Sequence, residues 1–293
     1  MEITFYGVRG SIPSPGPKTA KYGGNTSCVH VKLNSGKDLI FDSGSGIRSL
    51  GKKLANKNTP IHLLLSHNHW DHIQGYPFFA PVYERERIIN VYTCVPSGDS
   101  LLCSLFDQMD GSNFPVKSED LPSQAQCILE GIEEKLAREN ILVSRKIINH
   151  PGGGHAFRLE EDGCTVLYVT DNELNPPGTP ATSYDEWVEF CNGADVLIHD
   201  AQYQAADMPH KHGWGHSLIS QVRQLAVDAE VQSLVMFHHD PDRTDSELDA
   251  IQLENERFFK SKRAPKKSYC AAEGMTLSIA ARLANKKPVI GTL

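Results

Sequence analysis

The stretch His67-Asn68-His69-Trp70-Asp71-His72 packs three imidazoles and a carboxylate into six residues. Neutral imidazoles and carboxylates are the donors that zinc and related borderline metals take. Set directly after the apolar run Ile61 to Leu65, they divide into two groups able to face two neighbouring ions. A solvated polar loop often carries one histidine, but a set this dense points to metal. Four residues cannot complete two metal sites. Three further candidates share one position, just past the C-terminal end of an apolar strand: His150 after RKIIN, Asp171 after LYVT and His238 after SLVMF. Taken singly, each reads as an ordinary buried polar residue; their common placement raises all three. Asp171 is poorly placed for packing and well placed to bridge two cations. His239 competes with His238 for the last position.

Something must hold these strand ends together. Short apolar strands are expected at 3–6, 28–33, 39–41, 61–65 and 88–93, separated by Gly-, Pro- and Ser-rich turns. Strands resume at 141–148, 156–159 and 165–169, and the last third alternates helix (183–191, 217–229, 246–259) with strand (196–198, 233–237, 275–279). A short helix is expected over 47–55 and another around 124–138. Strand-rich segments followed by β/α alternation predict an α/β protein of two packed sheets with helices outside. No repeat period or long linker interrupts the chain, so 1–293 reads as one domain built around the metal site, with 97–140 as an insertion near that site. The tail from Ala281 to Leu293 is apolar in places and either packs on a second subunit, as in a homodimer, or frays.

Composition bounds the partners. With 40% hydrophobic and 22% charged residues, the 293-residue chain can bury a large core without metal staples, so a bound metal would serve chemistry. The net charge of -7 argues against a broad nucleic-acid surface. The one compact basic cluster, Lys260 to Lys267, reads as a solvated loop. Seven scattered cysteines without a CxxC pair suggest a reducing compartment. No signal peptide or membrane span is visible, which leaves the cytoplasm as the expected location.

The motif and its setting resemble the metallo-β-lactamase superfamily, whose HxHxDH pattern is matched by His67, His69, Asp71 and His72. GVRGSIPSP, YGGNTSC and FDSGSGIRSLG look like the N-terminal part of its phosphodiesterase and RNase Z-like branch. The resemblance implies a four-layer αββα sandwich with two metals at one edge. One metal would sit on His67, His69 and His150 and the other on Asp71, His72 and His238, with Asp171 bridging. The family's strand-then-histidine pattern favours His238 over His239. Zinc is the expected metal, with manganese or iron as alternatives.

LIHDAQY followed by GWGHS is similar to the acid-Ala and His-Ser motifs of RNase Z-like enzymes, and a lactamase has no reason to carry it. The matching residues, Asp200 and His216, would form an acid–imidazole pair that protonates a leaving oxygen. Asp71 would both ligate metal and hold the nucleophilic water. RNase Z enzymes that process transfer RNA carry a long arm between the third histidine and the bridging aspartate. Here that interval is 171 - 150 = 21 residues. The short interval and acidic charge together predict a small phosphodiester substrate, a cyclic nucleotide foremost, with Tyr203, His212 and Trp214 lining the pocket. An RNA-processing nuclease, or a metallo-hydrolase of esters, thioesters or lactams, is the alternative. A redox di-iron centre is discounted because it usually replaces the second histidine of the motif, here His69, by a carboxylate.

Overall fold

The structure, a computed structural model, describes residues 1–93 and 104–282. Its first seven strands in chain order are β1 (Glu2–Gly7), β2 (Cys28–Lys32), β3 (Asp38–Phe41), β4 (Ile61–Leu65), β5 (Ile88–Thr93), β6 (Gln124–Ile128) and β7 (Leu142–Ile147). They are followed by β8 (His155–Glu161), β9 (Cys164–Val169), β10 (Val196–Asp200), β11 (Ser233–Phe237), β12 (Lys267–Cys270) and β13 (Thr276–Ser278). Among the described residues these form a seven-stranded sheet, β13-β1-β2-β3-β4-β5-β6, and a six-stranded one, β12-β11-β10-β9-β8-β7. Helices α1 (Ile47–Leu54), α2 (Trp70–Ile73), α3 (Ser104–Asp107) and α4 (Ile132–Arg138) lie in the first half, and α5 (Tyr184–Cys191), α6 (Ile219–Asp228) and α7 (Asp245–Phe259) in the second.

Strand alternation builds the layers. Leu39, Phe41 and Leu64 point into a core between the sheets, where they meet Phe157, Tyr168 and Phe237. Their neighbours Ile40, Leu63 and Leu65 face the opposite way, against Ile47, Leu50 and Leu54 of α1. That helix presents apolar residues at i, i+3 and i+7, so one stripe covers the sheet. On the second sheet, Leu167, Leu197 and Leu234 pack outward against Trp187 of α5, Val222 of α6 and Ile251 of α7. The result is the expected αββα sandwich. Both α5 and α7 start with capping boxes, on Ser183 with Glu186 and on Thr244 with Glu247, which satisfy free N–H groups of the first turn.

The central strands of both sheets run parallel: β3 through β6 in the first, β9 through β12 in the second. Their C-terminal ends therefore gather at one edge of the sandwich, and ligands in open α/β sheets bind at such ends. His67 follows β4, Asp171 follows β9, Asp200 ends β10 and His238 follows β11. Three strand-end turns at this edge, one of them after β3, are sharp. Asp42, Asp171 and His238 sit in the left-handed region at φ of 58°, 47° and 56°, a conformation costing a non-glycine residue roughly 1–2 kcal/mol. Such strain concentrates where a site requires it.

Two expectations change. The helix expected around 124–138 is a strand followed by a helix: Gln124–Ile128 pairs in parallel with β5, and only Ile132–Arg138 is helical. Gly131, at φ 60°, separates the two elements. The alternation in QAQCI is the strand signal that a helical reading of the segment passes over. The Lys260–Lys267 loop leads into β12, a strand not anticipated there. The segment 97–140 falls partly outside the described residues; its described part supplies the edge strand β6 and α4, which packs on β7. Nearly all of the tail from Ala281 lies outside them as well. No helix among the described residues is long and apolar enough to cross a membrane. The described cysteines, Cys28, Cys127, Cys164, Cys191 and Cys270, are free thiols.

Candidate dinuclear metal centre

All seven residues read as metal ligands converge. His67, His69, His150 and Asp171 form one group, and Asp71, His72, Asp171 and His238 another, with the donor atoms of each group within 4.8 Å of one another. Asp171 belongs to both. Its Oδ2 lies 3.6 Å from His67 Nε2 and 3.6 Å from His150 Nε2. Its Oδ1 lies 3.1 Å from both His72 Nε2 and His238 Nε2. One carboxylate oxygen faces each trio, as a bridging ligand requires.

Each imidazole is aimed by what its other nitrogen does. His72 Nδ1–H donates to Asp42 Oδ2 at 2.7 Å, His238 Nδ1–H to Gln202 Oε1 at 2.8 Å and His150 Nδ1–H to the Gly215 carbonyl at 3.0 Å. Ser66 Oγ donates to Asp42 at 2.8 Å and so accepts from His67 Nδ1 at 3.0 Å. With the proton on Nδ1, the Nε2 lone pair of each ring points into the cluster. His69 differs: its Nδ1 approaches His150 Nε2 at 3.0 Å. Asp71 Oδ2 accepts the Ser11 N–H at 2.7 Å and lies 3.2 Å from His72 Nε2 and 3.1 Å from His238 Nε2.

The donor set fits divalent metal. His67 Nε2 and His72 Nε2 are buried without a hydrogen-bond partner, which is costly unless an ion takes the lone pair. Burial pushes the His67 imidazole well below its ordinary value, reinforced by His72, and pushes His150 down as well. Both stay neutral and ready to ligate. Burial also disfavours charge on Asp71 and Asp171, yet the surrounding imidazoles hold both carboxyls well below the usual range. Burial alone would lower His72, but Asp71, Asp171 and Asp42 around it drive it well above its ordinary value. Three carboxylates converging on one ring mark a pocket that needs positive charge.

Asp200 and His216 form the expected pair. His216 Nδ1–H donates to Asp200 Oδ2 at 2.6 Å, and the imidazole ring stacks on His238 at 5.1 Å between centroids. Burial opposes protonation of His216, but Asp200 overcomes it and the imidazole is pushed up to about 9. His239 turns away from the cluster and donates from Nε2 to the Ala271 carbonyl at 2.9 Å. Of the two neighbours, His238 faces the cluster.

The expected pocket-lining aromatics divide. Tyr203 is only 1% exposed, its ring edge-on to His216 at 5.4 Å and capped by Lys211 Nζ at 4.7 Å. It backs the imidazole and has no open face for a substrate, which corrects its place among the pocket-lining residues. Trp214 is 59% exposed beside the site, and His212 Nε2 reaches the Asn175 carbonyl at 3.1 Å.

Several supporting residues were not singled out from the sequence. Asp42 accepts from Ser66 N, Ser66 Oγ, His72 and Tyr168 Oη. The available signal was an acidic residue just past an apolar strand, as at Asp171. Glu173 is buried and accepts the backbone N–H groups of Gly213 and Gly215, holding the loop that carries His216 and the carbonyl bound by His150. Gly215 itself is required: at φ 85°, a Cβ there would stand 2.1 Å from His150 Nδ1. Gly10 has the same role on the other side, where a Cβ would meet His238 Nδ1 at 2.5 Å.

The chain can now be set beside known proteins. A family model described as a beta-lactamase superfamily domain matches residues 38–239. A protein of Thermoplasma acidophilum named ribonuclease Z is 24% identical over 307 residues, covering 89% of this chain and 94% of that protein. A ribonuclease Z of Haloarcula marismortui is 29% identical over 279 residues, covering 81% and 86%. Among solved structures, the short form of human tRNase Z superposes with a TM-score of 0.62 at 21% identity over 96% of this chain and all of that one. Zn(2+)-bound PqqB from Methylobacterium extorquens gives 0.66 at 16% identity over 95% of this chain and all of that one. The relatives overturn one expectation. A partner that is a small phosphodiester, with no nucleic-acid surface, does not agree with near-full-length similarity to proteins named for acting on RNA. Net charge misled because it averages over the whole molecule, whereas a polyanion is held by local charge. With more than half its length matched by the family model and its fold shared with these structures, the chain belongs to the metallo-β-lactamase superfamily, in the RNase Z-like branch of these metal-dependent hydrolases.

Proposed function

We propose that this protein is a phosphodiesterase that cleaves RNA, with His216 as the general acid and two divalent ions, zinc by default, held by His67, His69, His150, Asp171, Asp71, His72 and His238. The observation that carries the reading is the Asp200–His216 pair at 2.6 Å, stacked on His238 at the edge of the ligand cluster. Lactam or thioester hydrolysis has no evident use for such a pair. Bound divalent ions supply Lewis acidity, neutralising charge on the phosphate and acidifying a water. Asp71, fixed by the Ser11 N–H, orients that water for in-line attack. As its oxygen bonds to phosphorus, the bond to the departing oxygen breaks and His216 Nε2 passes a proton to it. The water's surplus proton restores His216. Asp200 keeps the Nδ1 proton in place and stabilises the imidazolium, so Nε2 carries the transferable proton. Glu173 keeps the loop before His216 in register. A reducing cytoplasm suits the free thiols, and the chain works as a single domain.

The test is turnover of an RNA bearing a 3′ extension, bis-p-nitrophenyl phosphate, cyclic nucleotides and a β-lactam, with metal content measured in parallel. RNA and the chromogenic diester should be cleaved. Turnover of the lactam without either phosphodiester would overturn the reading. His216→Ala should lower kcat by ~10²–10⁴ with metal content unchanged; loss of metal instead would make His216 a ligand.

A further inference from the structure

The basic cluster that first reads as a solvated loop is a feature the active site does not use. Lys260, Lys262, Arg263, Lys266 and Lys267 line one groove of about 590 Å³ between the end of α7 and the start of β12. All five are exposed. Among the described residues no ion pair engages the four lysines, and Arg263 reaches only Glu230, at 3.9 Å. The groove thus sets five positive charges against one carboxylate, Glu256, on a chain of net charge -7. Tyr269, partly buried, lines this groove and also an adjoining one of about 480 Å³, so the two meet at an aromatic ring. A run of cations along one groove is the electrostatic element of a single-strand nucleic-acid track.

Register fixes where this groove stands. Lys267 pairs with Ser233, five residues before His238 on the same strand line. At ~3.3 Å per residue the groove therefore lies roughly 16 Å along the sheet edge from the metal centre. A stacked nucleic-acid strand rises ~3.4 Å per nucleotide, so about five nucleotides span that distance.

We infer that the groove between α7 and β12 is an RNA-backbone exosite, gripping phosphates about five nucleotides from the scissile bond. The inference rests on the RNA reading above. Its role is to hold an extended substrate where the short interval between His150 and Asp171 offers no arm. Short substrates do not reach it.

The experiment compares the full chain with a Lys260→Gln/Lys262→Gln/Lys266→Gln variant, using RNAs of 3 and 20 nucleotides around one cleavage site and bis-p-nitrophenyl phosphate. RNA binding is read separately, by fluorescence anisotropy against salt. The variant should raise KM for the long RNA at least tenfold and leave the short RNA and the chromogenic diester unchanged. Its log–log salt slope should fall by about 2, at ~0.7 for each single-strand phosphate that the variant no longer neutralises. An unchanged KM and salt slope, with RNA still cleaved, would overturn the exosite and leave the RNA reading standing. A protein that hydrolyses only the chromogenic diester and shows no salt-dependent RNA binding would overturn both. Equal loss on all three substrates would also overturn the exosite, since it would mean a general effect on the catalytic centre.

Discussion

The two halves of the ligand cluster are built differently. The Asp71/His72/His238 half is buried throughout, and two of its imidazoles are oriented by buried side chains, Asp42 and Gln202. The His67/His69/His150 half opens to solvent at His69 and leans on a hydroxyl and a backbone carbonyl. A charged carboxylate behind a ligand raises its basicity more than a neutral carbonyl does, and such partners set affinity by 10–100-fold. The inner position should therefore hold its ion tightly, and the outer one should exchange.

The largest effect should come from removing what the halves share. Asp171→Ala should leave no more than a trace of either metal and lower kcat by at least ~10³-fold, since one carboxylate oxygen serves each trio; retention of two ions would show that Asp171 does not bridge. Next, Asp42→Asn should weaken the inner ion about 10–100-fold, seen in competition with a metal chelator. His69→Ala should instead yield a protein with one tightly bound ion. If both variants lose metal equally, the asymmetry is wrong. Stepwise chelation of the unmodified protein should release ions in two phases, the outer first; a single phase would make the halves equivalent. The smallest effect is on pH. With the His216 imidazole pushed up to about 9 by Asp200, its proton is present below that value and lost above it, so activity should decline as pH rises past about 9. In Asp200→Asn the largest upward push on the imidazole is gone, leaving burial opposed only by the smaller effects of Asp171 and Asp71, and the alkaline limb should move to lower pH. An unmoved limb would mean that another group donates the proton.

Much of this arrangement was legible in the residues. The candidate ligands were visible because a metal site demands rare donor types, and because Asp171 and His238 follow apolar runs whose period marks buried strands. The layers followed from the same alternation. What stayed hidden depends on the meeting of distant segments. Asp42 looks like any turn aspartate until β3 and β4 pair side by side and bring it to Ser66 and His72. Glu173 acts on glycines forty residues away, and Tyr203 reads as an open aromatic until burial covers its ring. The strand at Gln124 was missed because its alternation spans only five residues and runs on into a helix. Net charge, a global number, could not locate the basic groove.

Asp42 also receives a bond from the opposite sheet, Tyr168 Oη at 2.7 Å, and the Tyr168 ring stacks on Phe41 at 4.9 Å with 9° between planes. The mortar of the sandwich and the aiming of an inner ligand are therefore the same few atoms. A protein engineer who softens that stack to gain flexibility would be re-aiming His72 at the same time. Durability and the aim of the His72 imidazole form one dial in this molecule, and selection acting on either must turn both.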